Sequence, residues 1–171
     1  ATNSGIYKTT DAGTTWNLKQ SGNFYDIEAN PNSVSNTFFA STSSSVFRSI
    51  NAGENWVATY TISGSNRVSI AVTPTDTNYV YALSSNSSNN GFKGLYRSTN
   101  GGQNFSLRSS TPNILGWDEA GGDTGGQGWY DLALVADPAT ASTIYIGGVN
   151  TWKSTNGGTT WTVLQTLTGV I

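Results

Sequence analysis

Apolar residues in this chain recur in short alternating runs, not in stripes spaced three and four apart. The runs FYDIEANP, NTFFAST, RVSIAVTP, NYVYALSS, WYDLALVADP and STIYIGGV are rich in β-branched and aromatic residues, and polar or turn-forming residues flank them. That is the pattern of half-buried β-strands bounded by turns. Between them lie paired shorter runs: GIYKT with TWNLK, SVFRS with NWVATY, GLYRST with NFSLRS, and NTWKST with TWTVLQ. Read together, the runs predict fourteen strands: two at the start, then three groups of four.

Each paired run encloses a nine-residue repeat. KTTDAGTTW, RSINAGENW, RSTNGGQNF and KSTNGGTTW begin at Lys8, Arg48, Arg97 and Lys153 and align without gaps. A basic residue comes first, then Ser or Thr, then Asp11, Asn51, Asn100 or Asn156 at the fourth position. Gly13, Gly53, Gly102 and Gly158 follow at the sixth, and Trp16, Trp56, Phe105 and Trp161 close the segment at the ninth.

The spacing has a physical reading. A turn between antiparallel strands leaves N–H groups unpaired, and a short Asp or Asn side chain accepts from them. The glycine supplies the positive φ such a turn needs. The closing aromatic opens the outgoing strand and is expected to bury its ring between sheets. Asn replaces Asp in three of the four copies, so acceptor geometry is kept and negative charge is not. These residues are therefore read as structural, not catalytic.

The segments resemble Asp-box (BNR) repeats, Ser-x-Asp-x-Gly-x-x-Trp, with Thr for Ser once, Asn for Asp three times and Phe for Trp once. The resemblance implies a β-propeller, with each box between the third and fourth strands of a blade. Such repeats occur in sialidases, xyloglucan-active glycosidases, sortilin-type receptors and photosystem assembly factors, so they imply a fold and leave function open. The stretch 126–161 is also similar to exported repeat proteins of Bacteroidetes.

The expected fold class is thus all-β: a partial β-propeller of about three and a half four-stranded antiparallel blades. Residues 1–20 form a half blade, 21–62 and 63–110 full blades, and 111–171 a blade with an insertion loop at 111–128. An open arc leaves blade faces in water. The expected partner is therefore the remainder of a longer propeller chain, which LTGVI would approach, or a second copy, since two sets of fourteen strands make seven blades' worth.

Composition narrows the chemistry. The 171 residues include 24 Thr, 22 Ser, 18 Asn and 20 Gly, with 11% charged and 12% aromatic residues. Helical bundles and disorder are excluded on that basis. Absence of Cys removes disulfides and thiol chemistry, and absence of His removes the commonest general base and metal ligand. A net charge of −2 with eight basic residues argues against nucleic acid as a partner. No apolar run is long enough for a transmembrane helix, and no signal peptide is visible at ATNSGIYKTT. The composition leans toward a bacterial secreted or cell-surface protein.

Repeat spacing points to where a site would sit. Successive repeats start 40, 49 and 56 residues apart (8, 48, 97 and 153). The first excess is assigned to Ser85–Gly94 and the second to Thr111–Gly128, which an up-and-down sheet places on one face, opposite the boxes. Extended connections are where binding usually resides. Trp117, Asp118, Glu119, Asp123, Trp129 and Asp131 are the candidate ligand-binding residues, an aromatic face beside hydroxyl acceptors suiting a glycan or a protein ligand. No cofactor is expected. Ca²⁺ held by Asp118, Glu119 and Asp123 stands as an alternative without an EF-hand spacing, and so does a purely structural loop.

A hydrolase needs two carboxyls roughly 5–10 Å apart. The paired FYD (Phe24–Asp26) and WYD (Trp129–Asp131) put Asp26 and Asp131 at strand starts two blades apart, and only Arg67 sits where a substrate-binding arginine would. No catalytic residue is assigned. The leading expectation is a non-catalytic exported binding or adhesion module. A xyloglucan-active glycosidase and an assembly factor are the alternatives.

Overall fold

The computed structural model describes residues 1–31 and 36–165. LTGVI, the expected approach to a further strand, lies outside the described residues. Among those described are fourteen strands in four antiparallel sheets. A two-stranded half blade holds β1 (Gly5–Lys8) and β2 (Asn17–Ser21). The first full blade is β3 (Asp26–Ala29), β4 (Phe38–Ser41), β5 (Ser45–Ser49) and β6 (Val57–Thr61). The second is β7 (Ser65–Val72), β8 (Val80–Asn86), β9 (Phe92–Ser98) and β10 (Ser106–Ser109). The third is β11 (Ala133–Ala136), β12 (Ile144–Gly147), β13 (Thr151–Ser154) and β14 (Thr162–Gln165).

Each full blade is a meander in sequence order, and β7 lies against both β3 and β11. First strands therefore neighbour first strands, as they do around the axis of a propeller. The protein is an all-β partial β-propeller.

The repeats form one turn built four times. Thr9, Ser49, Ser98 and Ser154 each donate a hydroxyl to Oδ1 of the Asp or Asn two residues on, at 2.7–3.0 Å. Each hydroxyl also accepts from the box glycine N–H at 2.8–3.0 Å. The same Oδ1 accepts from the N–H four residues further on. Two successive residues take positive φ in every copy, for example Ala52 at 58° and Gly53 at 78°. At Asp11, bonds from Thr15 and Thr9 hold the carboxyl well down, at about 2.

The core lies between blades, not within them. Trp56 joins Ile6, Phe24 and Ala40 at the first interface. Phe105 packs on Tyr60, with ring centroids 5.4 Å apart, at the second. Trp161 meets Phe92 edge-on and donates its indole N–H to Ser109 Oγ at 2.9 Å at the third. Each box aromatic thus packs against the blade before its own. Among the described residues no blade stands before that of Trp16, which is 60% exposed, whereas Trp56 is 9% exposed. The expectation that all four rings are buried fails at Trp16 for that reason.

Candidate functional site

The extra residues of the second blade do not form a loop. They lengthen β7, β8 and β9 to seven or eight residues, against four or five for the corresponding strands of the first blade. The expectation of an inserted loop at Ser85–Gly94 is corrected accordingly, because β8 continues to Asn86 and β9 resumes at Phe92.

The connection from β10 to β11 docks on this extended hairpin. Gly128 N–H donates to Asn90 O at 2.9 Å, and Phe92 N–H donates to Asn113 Oδ1 at 2.8 Å. Ile114 and Leu115 are fully buried in the core between the second and third blades. Gly126 and Gly128 press on Leu115 and Asn90 so closely that a Cβ at either would collide with backbone. The two expansions therefore meet, and the second is anchored by its own apolar residues.

Polar side chains within the connection tie its backbone. Asn113 Nδ2 donates to Asp123 O at 3.1 Å and to Gly125 O at 2.7 Å. Asp123 Oδ2 accepts from Trp117 N–H at 2.7 Å, and Asp118 accepts from Ala120 and Gly122 N–H at 3.0 and 2.8 Å. Those two bonds hold the Asp118 carboxyl below its ordinary range. The nearly buried Asn150 donates from Nδ2 to Trp117 O at 3.2 Å. A shallow cleft of about 280 Å³ runs between the two expansions, lined by Asn89, Phe92, Pro112, Asn113, Asp123 and Thr124 among others.

What remains outward is aromatic. Trp117 is 54% exposed, its ring against Gly125. Trp129 and Tyr130 are 59% and 68% exposed, with ring centroids 5.5 Å apart. Arg67 Nη1 donates to the carbonyls of both Trp129 and Tyr130 at 2.8 Å, so its guanidinium positions this pair from the neighbouring blade. Glu119 is exposed two residues after Trp117, and Asp131 is half-exposed directly after Tyr130 in the chain. Among the described residues, no group of three or more acidic side chains comes together as a metal site.

The sheet registers correct one alignment. Asp26 pairs with Ser41 in β3–β4, and the corresponding residue in β11–β12 is Ala133, which pairs with Gly147. Asp131 falls two residues earlier, after a turn closed by Tyr130 and Asp131 N–H donating to Gln127 O. FYD and WYD are thus not equivalent. Asp26 Oδ2 accepts from Ser69 Oγ and Ile70 N–H at 3.0 and 2.7 Å, joining its blade to the next.

Sequence reasoning missed Glu28. It is half-buried two residues beyond Asp26, and burial, aided by the Asp26 charge, pushes its carboxyl up from 4.5. Its signal was present: an acid in strand alternation with Asp26 on a strand next to the axis.

No protein-family model and no curated protein matches this sequence. Solved structures do. An ancestral GH74 enzyme superposes with a TM-score of 0.66 and 21% identity, over 94% of this chain and 21% of that one. The GH74 xyloglucanase from Xanthomonas campestris gives 0.63 and 12%, over 95% and 27%. YCF48 from Cyanidioschyzon merolae gives 0.54 and 17%, over 82% and 36%. This chain spans between about a fifth and two fifths of their lengths. At such identities the likeness is one of fold, and the fold is that of β-propeller proteins.

Proposed function

We propose that this chain is part of an exported or cell-surface propeller of the Asp-box type, and that it binds glycan without cleaving it. The observation that carries this reading is a connection with a pinned backbone and exposed rings. Trp117, Trp129 and Tyr130 face solvent while Asn113, Asp118, Asp123 and Asn150 hold the surrounding main chain. Large exposed aromatics on a rigid support are unusual unless something covers them. A sugar ring offers an apolar face for the rings, and its hydroxyls suit Glu119 and Asp131.

The non-catalytic part rests on the carboxylates. Asp118 and Asp123 are engaged by main-chain N–H groups of the connection itself, and the acid held up by burial, Glu28 beside Asp26, lies on β3, outside that connection. A glycosidase is the second reading, favoured by the GH74 neighbours, one of them described as a xyloglucanase. Incubation with xyloglucan and other β-glucans separates the two. Retention on immobilised polysaccharide without release of reducing ends supports a binding module. Steady product release supports the glycosidase. Neither retention nor release on any glycan would overturn the glycan reading and favour a protein ligand.

A further inference from the structure

We infer that the Trp129–Tyr130 pair takes a single free glycan chain whose successive sugars are inclined to one another, and not the flat face of a packed polysaccharide. The inference rests on the glycan reading above and adds the form of the ligand. A local difference carries it. Ahead of β3, Phe24 and Tyr25 follow the alternation of an extended chain, one ring buried at 4% exposure and the other 48% exposed. Only one ring of such a pair reaches solvent. Trp129 and Tyr130 sit instead in the turn before β11, and both are more than half exposed. The turn sets the two rings side by side on the surface, with their planes 50° apart and their centroids separated by 5.5 Å.

The main chain under the pair is held from every side. Before it, Gly128 N–H donates to Asn90 O at 2.9 Å, and a Cβ at Gly128 would collide with Ser85 and Asn90. After it, Leu132 is anchored in the core between the second and third blades. Tyr130 and Asp131 N–H donate to Gln127 O at 2.7 and 2.8 Å. Arg67 Nη1 donates to the carbonyls of Trp129 and Tyr130 at 2.8 Å each. Turning the main chain to bring the rings into one plane would break these bonds.

Two ring planes 50° apart cannot both lie against one flat surface. A face of packed sugars therefore covers one ring and leaves the other in water. A free chain turns at each glycosidic bond, so consecutive sugars can cover both rings and bury apolar area on each. Arg67 is the positioning residue of this arrangement, since its planar fork spans the two carbonyls from the neighbouring blade.

Cello-oligosaccharide in solution and microcrystalline cellulose offer the same sugar and linkage, the one as a free chain and the other as flat faces. Calorimetry with the first and sedimentation with the second test the inference on the whole chain. Binding of the oligosaccharide without retention on cellulose is expected. Arg67→Lys keeps the charge and loses the fork. It should weaken oligosaccharide binding about tenfold, the scale of one charged hydrogen bond. The near-ultraviolet circular dichroism of the Trp129–Tyr130 pair should change with it while the melting temperature holds. Equal retention on cellulose, or retention on cellulose alone, would overturn the inference and leave the glycan reading standing. Parental binding and parental ring signal in Arg67→Lys would overturn the positioning role. Binding of neither form would overturn the inference together with the glycan reading beneath it.

Discussion

The ring of Phe39 lies on the α-carbon of Gly102, one blade further on, and leaves no room there for a methyl group. The contact joins the second strand of one blade to the box turn of the next. It explains why glycine is demanded twice over at this position, by φ of 78° and by the neighbour's ring.

Gly102→Ala should therefore cost more than Gly13→Ala, although both glycines hold positive φ. Backbone strain alone is about 1–2 kcal/mol. Overpacking against Phe39 adds roughly 1–3 kcal/mol. Gly13 has only its own Trp16 nearby. Denaturant unfolding of the two variants checks this, and equal losses would place the whole cost in the turn.

The same logic separates two identical residues. Trp56→Ala removes a ring buried between the half blade and the first full blade, and should cost about 3–5 kcal/mol. Trp16→Ala removes an exposed ring whose indole N–H reaches only Gly13 O, and should change stability little. Thermal melts of both variants decide the matter. A comparable loss for Trp16 would mean that the indole bond to the turn, not inter-blade packing, is what stabilises the box.

Glu28 gives a pH signature. Its carboxyl is raised in the fold, so its contribution is fully present below the unfolded value of 4.5 and is lost as pH rises through the folded value. Glu28→Gln keeps the shape and removes the charge. The variant's melting temperature should gain on the parent's as pH climbs from 4.5 to neutrality, with the gap closing at more acid pH. A gap independent of pH would contradict the burial argument.

Asn113→Ala tests whether rigidity matters to the site. The side chain bonds Phe92, Asp123 and Gly125, and none of these bonds involves an exposed ring. Each polar group left unpaired costs about 1–3 kcal/mol when buried, and Asn113 is partly buried. Faster amide exchange at 117–125 with weaker glycan retention is expected. Unchanged retention on a loosened loop would show that the rings act without their support.

The architecture was legible because turn chemistry repeats. A hydroxyl, an Asx side chain and a glycine at fixed offsets recur four times, and every pair of flanking runs became a hairpin. Burial was not legible, since Trp16 and Trp56 share one motif and differ in whether strands among the described residues stand before them. Strand phase was lost at WYD, where the turn on Gln127 takes up two residues before β11. The second blade's longer strands were hidden as well, because a count of residues between boxes cannot distinguish a loop from an extended hairpin. The exposed Tyr130 and the pinning role of Arg67 depend on contacts 62 and 63 residues apart in sequence, which no local pattern encodes.

Titration calorimetry with a xyloglucan oligosaccharide, comparing the parent with Trp129→Ala and Trp117→Ala, reads glycan binding at the exposed rings most directly. Both rings are more than half exposed, so both variants should melt within a degree or two of the parent. Affinity is expected to fall about tenfold or more for each, equivalent to ~1.4 kcal/mol. Unaltered affinity in both variants, with the fold intact, would contradict glycan binding at these rings.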